Sequence, residues 1–467
     1  MTISDLTPDS HLEQVSFWFD SLDPVPEPAP ARELPRNVDV VIVGGGFTGL
    51  WTAYYIKSLQ PELDVIVLEA MTIGFGASGR NGGWCMGIAA GVDDLLADPS
   101  TRESGARVLR AMMATVDEVE RVCQAEDINC HFAKGGTLAI AHAPFMVKPL
   151  RAEADGYAAH GFADYCHWLP PKESRERINC SRNHGAIYTP HCAAIHPARL
   201  VRGLGEAVRR REVRVFESTP VLDIQDKTAI TAHGAVKGDF VIRATEGYTD
   251  SLASHRRRLI PLYSLMVATE PLPDTVWDEI GLHQRETFDD RRRATTYGQR
   301  TVDGRIAFGG NESYMFGSRR EPFVTPDNAR FTTLESTLKE MFPILERYDI
   351  THRWGGLMGI STNWRPYVHF NRFNGFGAVG GYVGEGVGAS NLASRIMADL
   401  LLERDTDITH LPWVDDDPDK WPLEPLRWLG GTALTYLANQ ADRVELQEGR
   451  RSSLWGSLFK FVSNHVF

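Results

Sequence analysis

Gly44, Gly46 and Gly49 form a GxGxxG turn directly after the β-branched run Val40-Val41-Ile42-Val43, and a helix-like stretch, 50–59, follows it. Such a turn serves the binding of a pyrophosphate. Gly44 permits the tight bend, Gly46 lets backbone approach the phosphates, and Gly49 lets the helix pack close against the strand. The N-terminus of that helix offers free N–H groups and the positive end of a dipole. Glu69 lies twenty residues past Gly49, after a second apolar run, Val65-Ile66-Val67-Leu68. A carboxylate there accepts hydrogen bonds from a ribose diol and disfavours a 2′-phosphate. A glycine turn alone is common. Strand, turn, helix and terminal acid in this order point to a dinucleotide.

A second constellation follows at once: Gly74-Phe75-Gly76-Ala77-Ser78-Gly79-Arg80-Asn81-Gly82-Gly83. Its small residues let backbone come close to a flat or extended ligand, while Ser78, Arg80 and Asn81 add polar contacts. Taken alone, a Gly/Ser run is a flexible loop. Next to the first motif it becomes a second wall of a cofactor site. The first signature by itself leaves NAD and FAD both open.

Three later segments extend the pattern. Asp239 to Tyr248 (DFVIRATEGY) is a strand ending in Ala244-Thr245. Trp354-Gly355-Gly356 runs through Ser361-Thr362 to Pro366. Gly380 to Gly388 (GGYVGEGVG) is a closing glycine-rich stretch. With DVVIVGGGFTGLWTA, VIVLEA and GFGASGRNGG, these pieces resemble the D-amino-acid oxidase/glycine oxidase superfamily of FAD enzymes, and within it the γ-glutamylputrescine oxidoreductase-like branch. The resemblance runs from residue 38 to about 402. Outside it, the Phe-Trp pattern of 11–36 and the PLEPLRWLG pattern of 406–467 are similar to longer members proposed to act on aminophosphonates.

The resemblance implies an α/β fold. A Rossmann-like FAD-binding domain is assembled from 37–94, 190–250 and 351–405. A discontinuous α+β substrate domain, built on an antiparallel sheet from 95–189 and 251–350, covers the flavin. An arm with a Pro-rich linker, 1–36, and a C-terminal extension, 406–467, complete the chain. Gly44, Gly46 and Gly49 would hold the pyrophosphate with Phe47 and Thr48 beside them, and Glu69 with Ala70 the adenosine ribose. Ser78, Gly79, Arg80, Asn81 and Gly82 would face the pyrophosphate or flavin. Val221 would meet adenine through its backbone, and Ala244 and Thr245 would pass the cofactor. Gly384, Glu385, Gly386 and Val387 would open the last helix near the flavin carbonyl. A helix N-terminus there stabilises the negative charge of reduced flavin near N1 and C2=O. Glu385 would oppose that charge, so its side chain is expected to point away. Relatives with covalent flavin use a cysteine in the segment corresponding to 353–366. That segment has none here, and noncovalent FAD is expected. Cys85, close to the second motif, is expected to be a buried, inert thiol.

The implied reaction is oxidation of a C–N bond: a neutral amine loses hydride to flavin N5, and the imine hydrolyses to an aldehyde or keto product. Positioning matters more here than a dedicated base. Tyr263, Tyr297 and Trp364 lie in segments that resemble site-lining strands and are the candidate catalytic-site aromatics, with plain core packing as the alternative for each. Some relatives activate oxygen with a lysine, and the comparable strand, GRIAFGGN at 304–311, has none. Slow oxygen use or another electron acceptor is expected. Arg256-Arg257-Arg258, Arg291-Arg292-Arg293 and Arg319-Arg320 fall in the substrate domain. Such runs are ordinarily solvated surface, but a carboxylate or phosphonate tail would want such a partner, and Arg291 to Arg293 rank first because they precede Tyr297. The competing readings are a noncatalytic FAD-binding or assembly protein with a blocked flavin face, an amino-acid dehydrogenase using a non-oxygen acceptor, and an NAD-dependent dehydrogenase. Metal chemistry and hydrolysis fit poorly. His131, His142, His184, His191 and His196 lack metal spacing, and no HExxH, CxxC or GxSxG occurs.

The elements that must position these residues fill a long chain. Its 467 residues exceed what one hydrophobic core holds. Hydrophobic residues at 43% and charged ones at 24% exclude disorder, and 42 Gly with 26 Pro exclude a coiled coil. The net charge of −12 argues against nucleic acid as the main partner. A small-molecule amine is the expected partner, and the oligomeric state stays open. No apolar run reaches the roughly 18 residues of a membrane span. The start lacks a secretory pattern, and the six cysteines form no CxxC, so reduced thiols and the cytoplasm are expected. Helices are expected at 100–125 and 328–342, strand–turn–strand at 205–245, and a strand and helix at 375–402. Phe17, Trp18 and Phe19 should dock on the body. Leu454, Trp455, Leu458, Phe459, Phe461 and Val462 make one face of a last helix, suited to docking on the body or on a partner subunit.

Overall fold

The computed structural model describes residues 14–27, 29, 33–321, 329–451 and 454–465. Residues 11–13 of the arm, Pro28, Pro30 and Asn328 therefore lie outside the described residues. The apolar runs found in the sequence become the centre of an eight-stranded sheet. Asn37–Val43 lies between Val65–Leu68 and Gly234–Arg243 and is parallel to both. A strand buried on both faces must be apolar throughout, and each fully buried Val or Ile contributes about 1.5–3 kcal/mol. Arg214–Phe216 extends the sheet beyond Val65–Leu68, and Phe376–Gly380 extends it beyond Gly234–Arg243. Tyr367–Asn371 closes that edge antiparallel, and the hairpin Val221–Gln225/Thr228–Thr231 attaches to Gly234–Arg243.

Register creates the site. Val43 stands opposite Leu68 on one side and Arg243 on the other, and Arg243 opposite Ala378. Gly44, Glu69, Ala244 and the turn after Gly380 consequently emerge at one edge, the carboxyl ends of parallel strands, where open α/β sheets bind ligands. The helices Phe47–Leu59, Arg102–Ala125, Pro197–Arg210 and Gly386–Leu401 pack on this sheet in one large apolar core.

A second eight-stranded sheet runs in the order Ile350–Ile360, Ile260–Thr269, Ile306–Tyr314, Tyr297–Arg300, Thr287–Asp289, Thr137–Ile140, Ala186–Thr189, His167–Leu169. Only the Thr287–Asp289/Thr137–Ile140 pair is parallel. Ile350–Ile360 was expected with the cofactor segments but belongs here. Its eleven residues match the full length of Ile260–Thr269, from Ile260 opposite Ile360 to Thr269 opposite Ile350. A small sheet, Trp84–Met86 with Cys192–Ala194, lies apart from both large ones.

The short helix Phe17–Asp20 buries Phe17, Trp18 and Phe19 in a cluster with Met266 and Trp354. The tail forms Leu426–Glu448 and Leu454–His465, and Asp442 and Glu445 of the first helix hold Arg293. All six cysteines are free and buried. Among the described residues no helix is long and apolar enough to cross a membrane, and no cluster of three or more side chains suits a metal.

Candidate active site

Between the two sheets lies a cavity of ≈ 1180 Å³, larger than the roughly 300–1,000 Å³ of most ligand pockets. One part is built from the glycine-rich segments. Gly44, Gly46, Phe47 and Thr48 line it, as do Glu69 and Ala70, Ser78, Arg80, Asn81 and Gly82, Val221, Ala244 and Thr245, and Gly384 to Val387. Gly49 and Gly79 do not line it, for steric reasons. A Cβ on Gly49 would stand 1.9 Å from the Gly44 carbonyl oxygen, so its missing side chain is what seats the helix on the strand. A Cβ on Gly79 would stand 2.4 Å from the Phe19 ring.

The loop after Glu69 is tied at many points. Glu69 accepts from Gly45 N–H (2.7 Å) and Met71 N–H (2.9 Å), and burial pushes its carboxyl up to about 7. Ser78 Oγ accepts from Phe47 N–H at 2.8 Å, at the first turn of a helix whose N-cap, Gly46, has no side chain to do so. Arg80 spans from the loop to the second sheet, donating to Phe75 O (2.7 Å) and Gly355 O (3.2 Å), and Trp354 Nε1 donates back to Arg80 O (2.8 Å). The arm clamps the same loop. Ser16 Oγ donates to Gly79 O (2.7 Å) and Trp18 Nε1 to Asn81 O (2.8 Å). Glu246 holds the closing turn by accepting from Tyr382 N–H (3.0 Å), while its Oε2 is buried with no hydrogen-bond partner. A helix N-terminus whose own N-cap residue has no side chain, a ribose-type carboxylate and an orphaned carboxylate oxygen around one elongated space fit a dinucleotide.

The remainder of the cavity lies against the second sheet. Tyr297 lines it, seated where a Cβ on Gly82 would come within 2.6 Å of its ring. Its hydroxyl bonds Ser264 Oγ at 3.1 Å, and its ring meets Trp84 edge-on at 5.8 Å. Tyr263 does not line the cavity. Side chains of a strand alternate between faces, so Ser264 and Met266 face the cavity while Tyr263, Leu265 and Val267 face the opposite core. The Tyr263 hydroxyl donates to Glu321 O at 3.0 Å. Trp364 sits on the turn after Ile350–Ile360, at φ 52° and partly exposed, also outside the lining. Glu385 lines the cavity rather than turning away. Burial and the nearby Asp289 carboxylate push it up to about 7, against the pull of Arg291. Glu312, beyond any sequence motif, faces the same space and is likewise pushed up to about 7 by loss of hydration. Cys166, not Cys85, is the cysteine in the lining, and burial pushes its thiol up to about 12.

The arginine runs are largely internal partners. Arg291 lines the cavity but pairs with Glu153 and, at 3.9 Å, with Asp289. Arg292 pairs with Asp290 (2.8 Å) and Arg293 with Glu445 (2.9 Å), and neither lines the cavity. Arg258 pairs with Asp417 (3.0 Å). Arg256, Arg257 and Arg320 do line the cavity.

A glycine-turn sheet that ends in a dinucleotide-sized cavity, roofed by a second sheet, defines a dinucleotide-binding protein. A family model described as FAD dependent oxidoreductase (DAO) matches residues 39–400, and the chain belongs to that family. It is 30% identical over 383 residues to the γ-glutamylputrescine oxidoreductase of Escherichia coli, covering 80% of this chain and 86% of that one. It is 26% identical over 401 residues to the probable oxidoreductase OrdL of Haemophilus influenzae, covering 84% and 88%. Among solved structures, glycine oxidase of Geobacillus kaustophilus superposes with a TM-score of 0.67 at 19% identity, over 80% of this chain and 96% of that one. The chain is thus an FAD-dependent oxidoreductase.

Proposed function

We propose that this protein oxidises the C–N bond of a primary or secondary amine with noncovalently bound FAD. The observation that carries the proposal is the continuity of the cavity: the segments suited to a dinucleotide run directly into a space walled by Tyr297, Trp84 and Ser264. When bound, FAD would supply a hydride acceptor at N5, so that the amine would become an imine, which hydrolyses to an aldehyde or keto product.

The protein's own part is to hold and orient. Gly44, Gly46 and the N-terminus of Phe47–Leu59 would take the pyrophosphate, Glu69 the ribose, and Val221 the adenine. Arg80, Asn81 and Gly82, together with the turn Gly384 to Val387, would flank the flavin. The half-buried rings of Tyr297 and Trp84 would wall the side of the reacting carbon. Noncovalent attachment is supported by Cys166, whose raised pKa leaves it almost wholly a thiol at neutral pH and therefore a poor nucleophile. Among the described residues no lysine lines the cavity, which supports an electron acceptor other than oxygen. The γ-glutamyl or phosphonate tail suggested by relatives finds the arginines nearest Tyr297 already paired.

The test is product analysis. With an artificial electron acceptor, a panel of primary and secondary amines should include members that yield one carbonyl product per flavin reduced, and denaturation should release intact FAD. A protein that retains FAD yet forms no carbonyl from any amine refutes the proposal.

A further inference from the structure

The C-terminal extension, which lies beyond the family-matched residues 39–400, reaches the cavity. Trp421 Nε1 donates to Ile360 O (2.8 Å) and anchors the extension at the end of the second sheet. Leu423 and Arg427 then line the cavity. Arg427 is only 5% exposed. Its Nε and Nη2 both donate to Glu424 Oε1 (3.2 Å), and its guanidinium stands 5.5 Å from the centre of the Tyr314 ring. Its Nη1 is buried and has no hydrogen-bond partner among the described residues.

Arg320 reaches the same corner from the second sheet. Gly317 N–H donates to Glu424 Oε1 (2.9 Å), the oxygen that holds Arg427, and the Tyr263 hydroxyl donates to Glu321 O (3.0 Å). The short segment that carries Arg320 is thus pinned at both ends. Arg320 lines the cavity, and its Nη1 is likewise buried without a partner among the described residues. Glu321 pairs instead with Arg319 (3.6 Å). The acids close by are engaged. Glu424 Oε1 also accepts from the Tyr314 hydroxyl (2.6 Å), its Oε2 accepts from Trp428 N–H (3.0 Å), and Asp250 accepts from Arg257 N–H (2.7 Å). The carboxylates beside Tyr297 belong elsewhere: the charges that act on Glu385 are Asp289 and Arg291, and none acts on Glu312. Two buried cations that each keep an unmade N–H bond are costly unless an acceptor completes them. Paired guanidinium donors suit a carboxylate or phosphonate.

The corner borders the segments expected to flank the flavin. Met358 and Val383 pack with Trp421 and Tyr314, and a Cβ on Gly384 would stand 3.7 Å from Met358 Sδ. The helix N-terminus suited to the pyrophosphate belongs to the other sheet, so the acceptor missing here is assigned to the substrate. We propose that Arg320 and Arg427 form an oxyanion subsite, so that the substrate is an amine with a carboxylate or phosphonate at its far end and the C-terminal extension is part of its binding site. The proposal rests on the amine-oxidation reading above.

The experiment is anaerobic flavin reduction of the FAD-loaded enzyme by ω-amino carboxylates of increasing length and by 2-aminoethylphosphonate, each against the n-alkylamine of equal carbon number. At least one anionic probe should exceed its neutral partner by about tenfold or more in reduction rate over Kd, the equivalent of one charge-assisted contact. Arg320→Gln and Arg427→Gln, each checked for retained flavin absorbance, should remove most of that advantage through Kd, and Arg320→Lys and Arg427→Lys should restore part of it. A readout apart from turnover uses the amine-free anions valerate and ethylphosphonate, which should raise the Tm of the FAD-loaded wild type but not that of Arg320→Gln. Neutral amines that match or exceed their anionic partners at every length overturn the inference, as does an anionic preference that neither Gln variant changes. Loss of FAD from both Gln variants with the anionic preference intact also overturns it, by assigning the arginines to the cofactor's pyrophosphate. No reduction by any amine overturns the amine-oxidation proposal itself, and the anion-dependent Tm shift then still decides whether the subsite exists.

Discussion

Replacing Glu69 with Gln tests the cofactor geometry at its most defined point. The carboxylate accepts from two backbone donors, Gly45 N–H at 2.7 Å and Met71 N–H at 2.9 Å. An amide has one acceptor oxygen, so one of these N–H groups would face an NH2 group. Leaving a buried donor unsatisfied costs about 1–3 kcal/mol in stability. Cofactor affinity carries a separate loss, because ribose hydroxyls would donate to a neutral rather than a charged acceptor. Hydrogen bonds to charged groups contribute about 1.5–3 kcal/mol, so Glu69→Gln should bind FAD about 10- to 150-fold more weakly. The pH dependence adds a signature. Burial pushes Glu69 up to about 7 without cofactor, and donating hydroxyls favour the ionised form. Binding therefore releases a proton below that value. Wild-type FAD affinity should rise as pH increases toward about 7 and then level off, and the Gln variant should lack this rise. Titration of apoprotein followed by flavin fluorescence reads both effects. A variant that matches wild type in affinity and pH profile would refute the assignment of Glu69 to the ribose.

Other consequences follow from the packing. Gly49→Ala would put a methyl 1.9 Å from the Gly44 carbonyl oxygen, so the helix must move by more than about 1 Å. Overpacking of this kind costs about 1–3 kcal/mol, to be seen as a lower Tm and weaker FAD retention. Trp18→Phe removes the 2.8 Å bond to Asn81 O and should cost about 1 kcal/mol; FAD dissociation should quicken, while an unchanged rate would mean that the arm does not brace the loop. Glu312 is raised to about 7 in the folded protein, so its contribution to stability is full below the ordinary carboxyl range and is lost as pH rises through about 7. The Tm of Glu312→Gln relative to wild type should therefore be higher at pH 8 than at pH 5, and a difference independent of pH would contradict the upward displacement of this carboxyl. Reduced enzyme should reoxidise more slowly with oxygen than with an artificial acceptor, as stopped-flow mixing can decide.

The cofactor half of the cavity was legible in the sequence because backbone sterics dictate it. A strand that must turn within two residues and let a helix land on it needs Gly44 and Gly49, and parallel register then brings Glu69 and Ala244 to the same edge. The substrate half was less legible because its residues sit on antiparallel strands, where a shift of one position turns a side chain to the opposite face. Tyr263 and Ser264 differ only in that parity. The arginine runs mislead for another reason: charge is visible in a sequence but pairing is not, and Asp290, Asp442 and Glu445, which neutralise Arg292 and Arg293, lie near and far along the chain alike. Glu312 and Tyr165 carry no local motif. Only the meeting of strands Tyr297–Arg300 and Ile306–Tyr314 with the closing helix reveals the wall they share with Glu385.

The most direct measurement is a single anaerobic mixing experiment on the purified protein with an amine in excess. The protein should be yellow, and its visible absorbance should bleach in one turnover with one imine-derived carbonyl formed per flavin reduced, the nitrogen leaving as ammonia or a smaller amine. A colourless protein that responds only to a nicotinamide cofactor, or a yellow one that no amine bleaches, would contradict the account.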